Sequence, residues 1–442
     1  MTEAQSAFHV KPASAARPPL TARIPGSKSL TNRALLLAAA AVGTSRLRSP
    51  LVSDDTLAFR TALGELGFPV HADPSDTVWS VTGTGRGPVG RARVWCADAG
   101  TAARFLPPFA ATGSGEFLFD GSDQLRARPL RPLADALARL GASVRTGPDG
   151  GLPVRIESDG LYGGELALDG SLSSQYLTGL LLAAPLMTTP LSLTAERLVS
   201  RPYVDMTLAL MRRFGASVDE SADGTLRVLP GDYTAVDLDI EPDASTASYV
   251  FAAAAVTGTA VTVPGLGRHS LQGDLRFVEV LRRTGARVEI GEHATTVTGT
   301  GRLRGGFDVD MGEISDTFMT LAAIAPLADG PITVHSIAHA RLKESDRIAA
   351  VARNLAALGV ETTTGPDRIT VHPAEPTGAG IACHRDHRIG MAFSVLGLRV
   401  PGITLDDPAC VGKTFPGFHA ELRRLFPGQA PAVPTADRTG EQ

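Results

Sequence analysis

Three short segments hold residues of the kind that move protons and grip anions. Leu342-Lys343-Glu344-Ser345-Asp346-Arg347 places two cations and two carboxylates within six positions. His384-Arg385-Asp386-His387-Arg388 mixes imidazole, guanidinium and carboxylate. Ile24-Pro25-Gly26-Ser27-Lys28-Ser29 sets one ammonium among small residues. Carboxyls beside cations suit general acid–base work on an anionic substrate. Each segment has a plainer reading. The run from Leu342 reads equally well as a solvated helix face. The run from His384 fits a metal badly, because Arg385 and Arg388 would repel a cation and no thiolate or carboxylate cluster accompanies it. The run from Ile24 lacks the two glycines at the spacing a phosphate loop requires. No GxSxG elbow of a hydrolase is present.

Lysine usage adds a second signal. Of 42 basic residues only Lys11, Lys28, Lys343 and Lys413 are lysine, so the other 38 are arginine. Coding bias with four leftovers would produce this. So would sites that need a compact ammonium rather than a planar fork.

A chain of 442 residues makes two domains or one very large one. With 43% hydrophobic and 20% charged residues it can bury a sizeable core. A net charge of −4 argues against a non-specific nucleic-acid binder or a polybasic membrane protein. Cys96, Cys383 and Cys410 form neither an even set nor a CxxC, which suits a reducing compartment. The prolines and Arg17 of the first twenty residues do not resemble a secretory signal. The longest apolar stretch, Tyr176–Met187, is too short to span a bilayer. The expected location is cytoplasmic, and the polar tail from 429 to 442 is expected to be disordered.

The elements that must position these residues repeat. An apolar helix of small residues, then a turn, then a β-type run begins at Asn32, Thr101, Ser173, Ser245, Ser315 and His387. A second set of helices ends at Gly67, Gly141, Gly215, Gly285 and Gly359, spaced by 74, 74, 70 and 74, which reads as a series of C-caps. Six similar α/β or α+β units result, three to a domain, with a seam near Glu241-Pro242-Asp243. Small, polar or charged residues precede each apolar helix. Helix starts carry unpaired N–H groups and the positive dipole end, so several facing one cleft would bind anions. Any single one is also an ordinary N-cap.

Taken in order, PGSKSLTNR, DAGTAARFL, RARPL, SLSSQYLTGLLL, SRPY, EPDASTASY, QGD, ISDTFMT, RLKESDR, DHR and KTFPGF resemble the 5-enolpyruvylshikimate-3-phosphate synthase family from about Pro25 to Phe418. The SSQ form is similar to the common bacterial and plant type rather than the glyphosate-insensitive branch. The resemblance implies two similar domains, each of three βαβαββ repeats, of the inside-out α/β barrel type. It divides the chain into residues 1–25 with 243–428, and residues 26–242. It implies enolpyruvyl transfer from phosphoenolpyruvate to shikimate 3-phosphate with release of phosphate, by a monomer, without metal or organic cofactor, nucleic acid or membrane partner.

Two substrates of about three negative charges each must meet in that reaction. One like-charge pair at 4 Å costs about 4 kcal/mol at an effective dielectric near 20, so a dense set of cations is needed. By resemblance, Ser173, Ser174, Ser200 and Lys343 hold the phosphate of shikimate 3-phosphate. Ser29 and Arg33 meet its carboxylate end, while Gln175, Tyr203 and His339 stand at the acceptor. Phosphoenolpyruvate falls to Lys28, Gly100, Arg128, Gln175, Arg347, Arg388 and Lys413, with Gly100 leaving room for close approach of the backbone. Asp316, also an acceptor contact, is the implied base, with Lys28 as proton partner and acceptor ligand. Glu344 is the implied acid toward the methylene carbon, kept protonated by a dry, anion-rich cleft. Facing basic surfaces are expected to repel when empty and to close on anions, and glyphosate is expected to compete with phosphoenolpyruvate.

Three positions depart from the family pattern: Thr31 and Asp98 replace serine and asparagine, and His339 stands where some members have asparagine. Asp98 needs a cation, Arg104 or another, to be tolerated beside phosphate. The sister UDP-N-acetylglucosamine enolpyruvyl transferases rely on a loop cysteine, absent from Leu125–Leu130. A transferase with another acceptor and a non-catalytic anion-binding homologue remain as alternatives.

Overall fold

The computed structural model describes residues 8–9, 20–171 and 173–427. Lys11 and the tail from 429 lie outside them. Six inner helices organise the chain: Lys28–Ala40, Ala102–Ala111, Ser174–Ala183, Ala244–Thr257, Phe318–Ile324 and His387–Leu396. They are rich in alanine and leucine, strong helix formers, and lack a polar face, so they must be buried all round. In the first, every residue from Leu30 onward is buried. The first three inner helices pack pairwise, and so do the last three. Small residues permit that proximity. A Cβ on Gly179 would stand 2.2 Å from the carbonyl oxygen of Arg104 on the neighbouring helix.

Sheets surround each trio. Strands Val89–Trp95 and Ser114–Asp120 pair in parallel around an inner helix, and Ser143–Arg145 and Val154–Asp159 then close on antiparallel. The same βαβαββ plan recurs from Gly164 to Val228 and from Phe307 to Val371. Two units borrow their first strand: Leu20–Thr21 pairs with Ala260–Pro264, and Asp237–Asp239 with Ala41–Arg48. In the sixth, Gly380–Ile381 and Thr404–Leu405 pair in parallel and Phe8–His9 joins antiparallel. Among the described residues the six sheets are open and none closes on itself as a barrel. The inside-out character lies in the helices occupying the core, as expected for this mixed α/β fold.

Two apolar cores result. One draws its buried residues from Leu30 to Ile240, the other from Ala22 and from Ala244 to Phe426. The chain passes between them twice at adjoining points. Gly26 pairs with Pro242, Ser27 N donates to Glu241 O at 2.8 Å, and Asp243 N donates to Pro25 O at 2.9 Å. The five spaced glycines all have φ between 78° and 108°, the left-handed conformation that ends a helix. No helix among the described residues is long and apolar enough to cross a membrane.

Candidate active site

First turns of inner helices from both halves line one cleft. The first, second and third contribute Lys28, Ser29, Gly100, Thr101, Ser174 and Gln175; the fifth and sixth contribute Ser315, Asp316 and Arg388. Helix starts therefore gather at one place, as anion binding requires. Local capping explains how each begins. Ser27, Ser173, Asp243 and Asp386 accept from backbone N–H groups in the turn that follows. Asp243 caps its own helix and also accepts from Lys28 N at 3.0 Å, tying two helix starts together across the seam.

Of the expected site residues, Lys28, Ser29, Arg33, Gly100, Arg128, Ser174, Gln175, Ser200, Tyr203, Asp316, Lys343, Glu344, Arg347 and Arg388 line this cleft. Three stand behind it. The Ser173 hydroxyl accepts from Gln175 N at 3.2 Å as a helix cap. His339 is buried, its Nε2 at 2.7 Å from Ser315 Oγ and 3.4 Å from Ser200 Oγ, so it supports two serines rather than facing the cleft. Burial, and then Lys343, push the imidazole down to about 4, which keeps it neutral. Lys413 lies in an adjoining pocket, its Nζ 2.7 Å from Asp55 Oδ1 and 2.7 Å from Asp98 O.

The cleft is not the bare cationic surface expected from the sequence. Arg347 is 2% exposed and binds three carboxylates: Asp316 Oδ1 at 3.0 Å, Glu344 Oε2 at 2.8 Å and Asp386 Oδ2 at 2.9 Å. Arg388 reaches Asp316 Oδ2 at 2.7 Å, and Lys28 reaches Asp55 Oδ2 at 3.0 Å. Contacts join the halves: Gln124 Nε2 donates to Glu344 O at 2.8 Å and Arg385 pairs with Asp98 at 2.8 Å. Interleaved carboxylates offset part of the positive charge of these cations.

Those pairings also set the charge state of Glu344. Burial pushes its carboxyl up, but Arg347, Arg128 and Lys413 outweigh that and hold it well below the usual carboxylate range. Asp316 behaves alike: burial opposes ionisation, while Arg388, Arg347 and Lys343 hold it ionised. Their guanidinium partners hold both as carboxylates. Gln175 Oε1, Arg128 Nε and Arg388 Nε have no hydrogen-bond partner among the described residues, so donors and an acceptor stand unused beside the cleft.

Gly100 also stands close against Arg128. A Cβ there would lie 2.6 Å from an Arg128 guanidinium nitrogen, so the glycine makes room for that side chain. Asp98 has its cation, which is Arg385; Arg104 instead donates to the carbonyls of Gly100 and Pro129. Non-glycine residues with positive φ border the site at Ala97, Ser200, His384 and Arg385. Such positions cost about 1–3 kcal/mol each and persist where surrounding structure holds them.

Asp55, Thr101, Phe105 and Ser315 also line the cleft and were not singled out from the sequence. Asp55 follows the N-cap Ser53 with its capping box, so it reads as an acidic residue opening a helix. Nothing in its spacing distinguishes it. Ser315, within ISDTFMT, sits directly before Asp316 and could have been taken with it.

Two similar α/β halves with helix starts, cations and two carboxyls gathered at one cleft define an enzyme class that joins anionic substrates. The model of EPSP synthase (3-phosphoshikimate 1-carboxyvinyltransferase) matches residues 19–422. A 3-phosphoshikimate 1-carboxyvinyltransferase of Nostoc punctiforme is 42% identical over 410 residues, covering 92% of this chain and 96% of that protein. One of Aeromonas salmonicida is 41% identical, covering 90% and 94%. The EPSP synthase structure from Acinetobacter baumannii superposes with a TM-score of 0.78 at 26% identity, over 95% of this chain and 98% of that one. The enolpyruvyl transferase NikO from Streptomyces tendae, at 20% identity and a TM-score of 0.79 over 97% and 99% of the chains, shares the fold. The chain belongs to the EPSP synthase family.

Proposed function

We infer that this protein transfers the enolpyruvyl group of phosphoenolpyruvate to shikimate 3-phosphate, releasing phosphate, as a step of aromatic amino acid biosynthesis. One observation supports this most: Asp316 and Glu344, from different segments, meet the same Arg347 guanidinium inside a cleft lined by cations of both halves. In this reading Asp316 takes the acceptor's hydroxyl proton as its oxygen bonds to the central carbon of phosphoenolpyruvate. Glu344 delivers a proton to the methylene carbon. The intermediate then returns that proton to Glu344 as the carbon–oxygen bond to phosphate breaks. Lys28 sits between the two substrates as a shared cation.

Binding roles follow the same division. Ser173, Ser174, Ser200 and Lys343 serve the acceptor's phosphate, Ser173 and His339 acting through their neighbours; Ser29 and Arg33 serve its carboxylate end, and Gln175 and Tyr203 its ring. Lys28, Gly100, Arg128, Arg347, Arg388 and Lys413 serve phosphoenolpyruvate, and glyphosate competes there. Anions must displace internal carboxylates to bind, and doing so frees Glu344 to gain its proton. The enzyme works as a cytoplasmic monomer of two domains, residues 26–242 and residues 1–25 with 243–428. Purified protein given both substrates should release phosphate. Silence with shikimate 3-phosphate but release with another acceptor would reassign it.

A further inference from the structure

A second buried carboxyl stands beside the base, and the reaction as written gives it no task. Asp274, in the Gln272-Gly273-Asp274 segment, is 4% exposed. Tyr203 Oη donates to its Oδ2 at 2.8 Å and lies 3.4 Å from Asp316 Oδ2, so one phenol spans two carboxyls. Ser245 Oγ, on the fourth inner helix, also donates to Asp274 Oδ2, while Asp274 Oδ1 has no hydrogen-bond partner among the described residues. A small separate hollow reaches Asp274 and shares Ser29 and Tyr203 with the main cleft.

We propose that Asp274 is a positioning residue for the base Asp316, acting through Tyr203 by receiving the phenol proton as the acceptor is deprotonated. The proposal rests on the reading of Asp316 as that base. The acceptor's hydroxyl proton passes to Asp316 Oδ2 and on to Tyr203 Oη, while the phenol's own proton moves to Asp274 Oδ2. Tyr203 ends unchanged, Asp316 is again a carboxylate, and the proton removed from the acceptor is stored on Asp274. The acceptor oxygen's electron pair forms the new carbon–oxygen bond, so no oxidant or reductant is involved.

Charge placement drives the proton in that direction. Asp316 holds two guanidinium groups, Arg347 and Arg388, and is a poor place for a proton to remain. Asp274 has no ion pair of its own among the described residues; Arg276 on the same turn pairs with Glu313 instead. Tyr203, Ser245, Asp316 and, more distantly, Arg388 are the groups that face it from the packed elements. Burial and then Asp316 push its carboxyl up to about 6, the cost of an unpaired carboxylate in a dry place. Burial, Asp274 and Asp316 push the Tyr203 phenol well above its ordinary value. It can pass a proton on but not stay ionised.

Asp274→Asn and Tyr203→Phe, the latter isosteric, test the path. Wild-type phosphate release from shikimate 3-phosphate and phosphoenolpyruvate comes first; its absence would sink the assigned reaction before the relay is at issue. With that activity in hand, both variants should lower kcat by about tenfold to a hundredfold and leave KM for phosphoenolpyruvate within about twofold. The wild-type loss of kcat below about pH 6 should vanish in Asp274→Asn. A curved proton inventory in mixed H2O and D2O should become linear in both. Reduced kcat with the pH profile and inventory unchanged would mean a structural role only and would overturn the proposal. If Asp274→Asn does not fold, the inventory of Tyr203→Phe decides alone.

Discussion

Lys413 and Asp55, 358 positions apart in the chain, meet across the seam with Nζ 2.7 Å from Oδ1. Lys28 takes the other carboxylate oxygen at 3.0 Å, so one buried anion separates two ammonium groups that would otherwise face each other.

Asp55→Asn should therefore destabilise the ligand-free protein by about 3–5 kcal/mol in urea unfolding, the usual cost of stranding a buried charge. Inorganic phosphate should recover more stability in the variant than in the wild type, because it returns negative charge to the two lysines. An equal response would contradict this. Burial opposes ionisation of Asp55, but Lys28 and Lys413 hold its carboxyl below the ordinary value. Its contribution is thus complete above the unfolded-state pKa of about 3.9 and is lost as the pH falls toward the lower, folded value.

Glu344 should gain its proton only when anions occupy the cleft. Calorimetry of the ternary complex in buffers of different ionisation heat, at pH 7, should show uptake of close to one proton in the wild type and less in Glu344→Gln. The variant should lose about 10²- to 10⁴-fold in kcat. Equal proton uptake by both proteins would remove Glu344 from the acid's role.

Gly100→Ala should raise KM for phosphoenolpyruvate and leave the affinity for shikimate 3-phosphate within about twofold. The added methyl must push the Arg128 guanidinium aside, since the unshifted separation is 2.6 Å. A crystal structure of the variant with Arg128 unmoved would show that the glycine serves another purpose.

Lys343 makes no hydrogen bond or ion pair among the described residues, and burial lowers its pKa first of all. It is the site's uncommitted cation. Lys343→Met should weaken shikimate 3-phosphate binding about tenfold to a hundredfold, the worth of a charged hydrogen bond. Lys343→Arg, Lys28→Arg and Lys413→Arg keep the charge, yet each should cost activity because a fork does not fit where an ammonium does. Near-full activity in all three would make the lysines mere survivors of coding bias.

Asp98→Asn should change KM for phosphoenolpyruvate by less than about threefold. Its partner Arg385 is largely exposed, and such pairs contribute about 0–1 kcal/mol. A strongly lowered KM would mean that Asp98 repels the substrate.

Repetition made the fold readable from the sequence. Glycines at regular spacing announced helix ends, and all five adopt the backbone that only glycine takes freely. The apolar helices announced six repeated units, while the placing of helices inside sheets came only from the family resemblance. Cations of the site became legible only through the ordered motifs that carry the family resemblance, since each charged run alone reads equally well as a solvated face. Their counter-charges did not. Asp55 opens a helix and Asp386 caps one, so each has an ordinary local role that hides its pairing with a cation of the site. Whether Glu344 carries a proton depends on Arg347 and Arg128, and neither distance can be read from spacing in the chain.

The paired crossings at Gly26 and Pro242 have a mechanical consequence. Two connections bonded to each other act as a single pin. Sliding of one half along it would break the bonds from Ser27 to Glu241 and from Asp243 to Pro25. Lys28 belongs to the pin itself, its N bonded to Asp243, so the crossing fixes where that ammonium stands between the halves.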